Sequence, residues 1–243
     1  MTEIGNGDFA SAALVLCAHG VGGGSGVGSP AADRLAREIA ERRVFACVEP
    51  CSITGTPGLT ETLARLTEDR VYLAPLLMAE GYTYDVVLPR KVADAGIDAD
   101  RVTVCRPIGV HPGMARIAAD LAGVACADRG WQEAQTEIVI AAHGTPKHPA
   151  TGESAFRLAE TLAATQRFGG AQAAFLEQEP FLEATLRDVS PDPCVVVGFF
   201  LEDGAHGAKD VPEAIAVAHP AAAYTGAIGR HPEMTDLVLD SAK

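Results

Sequence analysis

The feature that most constrains this chain is an internal repeat. TEIVIAAHG, ending at His143 and Gly144, restates ALVLCAHG around His19 at an offset of 124 residues. LEQEPFLEATL restates ITGTPGLTETL with Pro180 on Pro57, RLAETL answers RLAREI with Leu158 on Leu35, and CVVVGFFLEDGAH answers VYLAPLLMAEGYT with His206 on Thr83, each at 123. AIGRHPEM answers PIGVHPGM, His231 on His111, at 120. Five matches in one order mean two copies of one unit, and a period this long excludes a solenoid. The expected domains are 1–125 and 126–243, two similar lobes facing each other across a cleft.

Inside each copy, strand-like and helix-like stretches alternate. In the first, AALVLCA reads as a strand. Ser29-Pro30 then opens a helix to about Arg42, with serine as cap and proline at the first turn. VFACVE, VYLAPLL and RVTVCRP read as further strands, separated by helices over GLTETLARL and from about Pro89 to Ala95. In the second copy CVVVGFFL, rich in Val and Phe and too short to span a bilayer, reads as a buried parallel strand. Alternation of this kind implies right-handed crossovers. The fold class is α/β, with a parallel four-stranded sheet flanked by helices in each lobe.

Charge narrows the partners. With 32 acidic against 19 basic residues and no basic run, a nucleic acid or an anionic membrane surface is not an expected partner. Six scattered cysteines with no CxxC exclude a zinc ribbon. The N-terminal segment lacks a basic region before its short apolar stretch, which points to a reduced, cytoplasmic protein.

The two copies differ where a site needs polar groups. Both carry histidine after the first strand, His19 and His143. After the second strand the first lobe has Thr54 and the second Glu177; after the third, Thr83 and His206. Only the second lobe carries a full His, Glu, His set at strand carboxyl ends, where open α/β sheets bind ligands. Two imidazoles and a carboxylate suit a divalent ion of borderline softness and leave positions open. Glu179 competes with Glu177 for the carboxylate role. His111 and His231, each before proline, read as structural turns, and His219 as a surface residue. Tyr82, Tyr84 and Met78 read equally as cleft lining or as packing.

Ala142-His143-Gly144-Thr145-Pro146 after a strand, Gly204-Ala205-His206 followed by Asp210 and Pro212, and the twice-used IGxHP together resemble the class II tetrapyrrole chelatases of the sirohydrochlorin type. Ferrochelatase is a more distant relative of that family. The resemblance covers nearly the whole chain in a two-lobed form. It implies insertion of Co²⁺ or Fe²⁺ into sirohydrochlorin, on the route to cobalamin or siroheme, with Ni²⁺ equally compatible with the donor set and no other cofactor. It places the metal-side pair on His143 and His206 and the third group on Glu177. Contacts to the macrocycle are implied at Gly144, Thr145, Gly204, Lys209, His19 and Thr83. The first lobe departs from the family pattern at HGVGGGSG and at Thr83, which puts catalysis in the second lobe and leaves His19 as an auxiliary. The substrate's eight carboxylates meet a net charge of −13, so local donors are expected from the glycine-rich loop, Lys147, His148 and Lys209. The chain is expected to act as a monomer or homodimer.

A non-catalytic tetrapyrrole or metal carrier is the alternative. Gly26-x-Gly28-x-x-Ala31 formally fits a dinucleotide fingerprint, but it lies several residues past the strand and has no counterpart in the second copy.

Overall fold

A computed structural model describes residues 9–20, 28–145, 149–189 and 191–243. The first sheet contains β1 (Ala13–Ala18), β2 (Cys47–Ser52), β3 (Val71–Pro75) and β4 (Val102–Val104), all parallel in the order β2-β1-β3-β4. The second contains β5 (Glu137–Ala142), β6 (Gly170–Phe175), β7 (Cys194–Gly198) and β8 (Ala223–Ala227) in the matching order β6-β5-β7-β8. The helices are α1 (Pro30–Glu41), α2 (Leu59–Ala64), α3 (Leu88–Asp94), α4 (Met114–Arg129), α5 (Glu153–Ala164), α6 (Leu182–Val189), α7 (Val211–Ala218) and α8 (Met234–Ser241).

Strand composition follows from burial on both faces. Val139, Ala141, Cys194 and Val196 join Leu182, Leu186, Val211 and Ile215 in one core, while Ile138, Ile140, Val195 and Val197, of opposite parity, are equally buried. In the first unit Val15, Cys17, Val71 and Leu73 pack with Leu59, Leu63 and Leu88. All six cysteines are free; burial pushes the thiol of Cys105 up to about 11 and that of Cys194 to about 12.

Some local expectations shift. The second strand starts at Cys47 rather than Val44, because Phe45 turns into a ring cluster with Phe9 and Tyr72, centroids 4.9 and 5.9 Å away. Ser29 caps α1 as expected, its hydroxyl accepting from Ala32 N at 3.3 Å. His219 is buried, not a surface residue: it ends α7, and its Nε2 lies 2.9 Å from the Asp192 carbonyl, which only accepts and so fixes an N–H there. Among the described residues no helix is long and apolar enough to cross a membrane.

The chain divides into two compact units, one up to His111 together with Pro232–Lys243, the other Pro112–His231. The packing boundary therefore differs from the repeat boundary near residue 125. Helix α4, which closes the first repeat, packs on β7, β8 and α5; α8, which closes the second, packs on α1. Thr235 donates to Glu38 and Arg42 pairs with Asp236, fastening α8 within the first unit.

Candidate active site

The second unit brings three of its polar groups together at the carboxyl end of its sheet. His143 follows β5, and its carbonyl accepts from Glu177 N at 2.9 Å, just as Ala142 O accepts from Leu176 N at 3.1 Å. The strand pairing that orders β5 beside β6 thus continues into the loops and delivers His143 beside Glu177. Their side chains stand 3.7 Å apart, His143 Nε2 to Glu177 Oε1.

His206 reaches the same place by a different route. It opens a π-helical turn, His206–Asp210, that runs into α7. The sequence predicts a loop at His206; the turn sets it at a helix start instead. A register shift between β7 and β8 at Val196/Gly198 aims the chain leaving β7. The IG pair of the repeated motif then fixes that segment: Gly229 N donates to Phe200 O at 3.0 Å, and a Cβ on Gly229 would lie 2.0 Å from Leu201 O. Gly109 makes the same approach to Met78 O in the first unit, which explains why the motif occurs twice. Asp203 adds a further anchor, accepting from Ala227 N at 2.9 Å and from Arg230 at 2.8 Å.

The imidazoles of His143 and His206 meet edge to face with centroids 4.4 Å apart. The tautomer of each neutral ring is set by what lies behind it. His143 Nδ1 lies 2.6 Å from the Gly144 carbonyl, which only accepts, so Nδ1 carries the hydrogen. His206 Nδ1 lies 2.7 Å from Asp210 Oδ2, again an acceptor when ionised. In the neutral form of each ring the hydrogen on Nδ1 leaves the Nε2 lone pair free, the state needed to bind a metal ion or take up a proton. The side chains of His143 and His206 are each a little over 40% exposed, so solutes reach them.

A cavity of about 730 Å³ opens within this unit, lined among others by Glu177, Phe181, Arg187, His206, Asp210 and Val217. Beneath the turn, burial pushes the Tyr224 phenol up, with the Asp203 charge adding to it. The Tyr224 hydroxyl is buried and without a hydrogen-bond partner among the described residues. Also among the described residues, no group of three or more His, Cys, Asp or Glu is gathered as a metal cage.

Of the other expected residues, Gly144 is buried at φ +71 and Thr145 N donates to Gln178 Oε1 at 3.1 Å. Gly204 lies at φ +45, and Lys209 is exposed on the π turn. In the first unit His19 is exposed, its carbonyl accepting from Thr54 N and Thr54 Oγ1, and Thr83 opens the counterpart turn, Thr83–Val87. Tyr84 donates to Cys105 O at 3.3 Å and packs on the core, whereas Tyr82 is exposed. The bulk of the glycine-rich loop, residues 21–27, lies outside the described residues, as do Pro146, Lys147 and His148.

Two residues make contacts for which the sequence predicts no role, although Asp210 stands within the motif that follows His206. Asp210 orients His206, and Gln178 ties down the loop after His143. The signal that would have found them is the same lobe comparison, which sets Val87 against Asp210 and Gly55 against Gln178.

The CbiX family profile matches residues 13–123 and again 137–243, one copy on each half of the repeat. The chain belongs to the CbiX family. A probable sirohydrochlorin cobaltochelatase of Halobacterium salinarum is 27% identical, covering 95% of this chain and 90% of its own length. A multi-domain protein of Deinococcus radiodurans, described as structurally similar to chelatases, superposes at TM-score 0.79 with 25% identity over 95% of this chain; the chain spans only 54% of that protein. The CbiX described as the terminal enzyme of siroheme biosynthesis in denitrifying bacteria superposes at 0.76 with 24% identity, covering 94% of this chain and 96% of that one. SirB of Bacillus subtilis with Fe³⁺ superposes at 0.76 with 14% identity over 95% and 93%. The last two likenesses establish the fold, two parallel four-stranded sheets with flanking helices.

Proposed function

We propose that the chain is a sirohydrochlorin chelatase, inserting Co²⁺ or Fe²⁺ into the macrocycle with His143 and His206 as the working pair. The observation that carries this reading is the pair of imidazoles 4.4 Å apart with both Nδ1 atoms tied back and both Nε2 atoms available. Family membership and the probable cobaltochelatase relative support the same reaction.

Metallation exchanges two pyrrole N–H protons for one divalent ion, so it needs ligands that release the metal and bases that accept two protons. Two imidazoles meet both needs, because each Nε2 lone pair binds a borderline ion weakly enough to hand it on, or takes one proton. Glu177, 3.7 Å from His143, offsets the positive charge that proton uptake leaves behind. Asp210 does the same for His206, and also fixes its ring. Gly144, Thr145, Gly204, Lys209, His19 and Thr83 are proposed contacts to the tetrapyrrole.

The test is metal insertion by the purified protein, with sirohydrochlorin and Co²⁺ or Fe²⁺, followed by the absorption change. Rate above the spontaneous reaction is expected, abolished by His143→Ala or His206→Ala and largely kept by His19→Ala. Tight tetrapyrrole binding with no acceleration would favour a carrier instead. Greater damage from His19→Ala would move the working lobe.

A further inference from the structure

We infer that Gln178 is a positioning residue that holds His143 and Glu177 in register. The inference rests on the proposed chelatase reaction. Among the described residues, two hydrogen bonds join the loops after β5 and β6. One is main chain, Glu177 N to His143 O at 2.9 Å; the other is the Gln178 amide, whose Oε1 accepts from Thr145 N at 3.1 Å. Together they bracket Gly144, whose carbonyl receives the Nδ1 hydrogen of His143. The rotation of the Gly144 peptide therefore decides where the His143 ring points, and Gln178 fixes the far side of that peptide.

The space around this amide is cut to fit it. A Cβ on Gly144 would lie 2.8 Å from Gln178 Cβ, and one on Gly152 would lie 2.5 Å from Gln178 Nε2. Two glycines thus leave room for one glutamine. In the first unit the main-chain join is kept, Thr54 N to His19 O at 3.1 Å, and Gly20 again has positive φ, but the position of Gln178 is taken by Gly55. The amide is present only in the unit that carries the imidazole pair. A role limited to folding would be needed equally in both.

Gln178→Met keeps the side-chain length and removes the acceptor; Gln178→Glu keeps an acceptor oxygen. Loss of a group that orients a metal-side histidine typically costs roughly 10–100-fold. The expected result is a fall of that order in kcat for Gln178→Met, little change in KM for sirohydrochlorin or in Tm, and recovery of most of the rate in Gln178→Glu. In ¹⁵N-histidine NMR of the full chain, the His143 Nδ1 hydrogen should be protected in the wild type and lost to exchange in Gln178→Met. An unchanged kcat, an equal loss in both variants, or an unaltered His143 resonance overturns the inference. A wild-type protein that inserts no metal would overturn the proposed reaction, and the NMR comparison would still judge Gln178.

Discussion

At the residue scale the candidate site consists of two imidazoles and the acceptors behind them, and the acceptors differ. A peptide carbonyl holds His143, whereas a carboxylate holds His206. Asp210→Asn tests the second arrangement. Its amide can turn an N–H toward Nδ1, which moves the ring hydrogen to Nε2 and removes the lone pair from the side that works. In the proposed reaction kcat should fall roughly 10–100-fold, with KM for sirohydrochlorin near wild type, in steady-state assays at saturating metal. An unchanged kcat would mean that the 2.7 Å contact has no part in turnover. The proposed site residues were legible in the sequence because the repeat supplies an internal control: Glu177 and His206 stand out against Thr54 and Thr83, while His143 repeats His19. Their partners were less so. Asp210 is four residues from His206, and only the shape of the turn says whether the two side chains meet.

At the element scale, what places His206 is the segment from β7 to α7, held where the IG motif leaves no room for a side chain. Gly229→Ala would set a Cβ 2.0 Å from Leu201 O, a main-chain atom that cannot swing away. The segment must shift, and overpacking of this kind costs about 1–3 kcal/mol. Chemical denaturation should show that loss, and insertion activity should fall further than stability, since the displaced backbone leads to His206. Gly144→Ala should act in the same way on His143, because φ +71 and the contacts with Gln178 and Phe175 both oppose a side chain. The central strands were readable because burial on both faces demands unbroken apolar runs, whereas the order of strands in each sheet was not, since a right-handed crossover is compatible with several orders. The π-helical turns were not readable. Nothing in TYDVV or HGAKD distinguishes a wide turn from an ordinary helix start, since the difference lies in which carbonyl each N–H finds.

At the scale of the whole molecule, sequence similarity and packing divide the chain at different places. The repeat ends near residue 125, inside the last third of α4, yet Met114, Ile117, Ala118, Ala122 and Cys126 of that helix are buried, and the helix belongs with β7, β8 and α5. The repeat could not reveal this, because a helix keeps the same amphipathic pattern whichever sheet it covers. The consequence is measurable in fragments. Residues 112–231 carry the second sheet together with α4, so this piece should be soluble, unfold cooperatively in urea and retain the His143–His206 pair. Residues 126–243 lose most of α4 and keep α8, whose buried face belongs to the other unit. That fragment leaves the α4 side of β7 and β8 uncovered, an apolar surface that promotes association. It should aggregate or bind a hydrophobic dye where 112–231 does not. Equal behaviour of the two fragments would mean that α4 contributes little to the second unit, and that the division read from the repeat is also the one that governs folding.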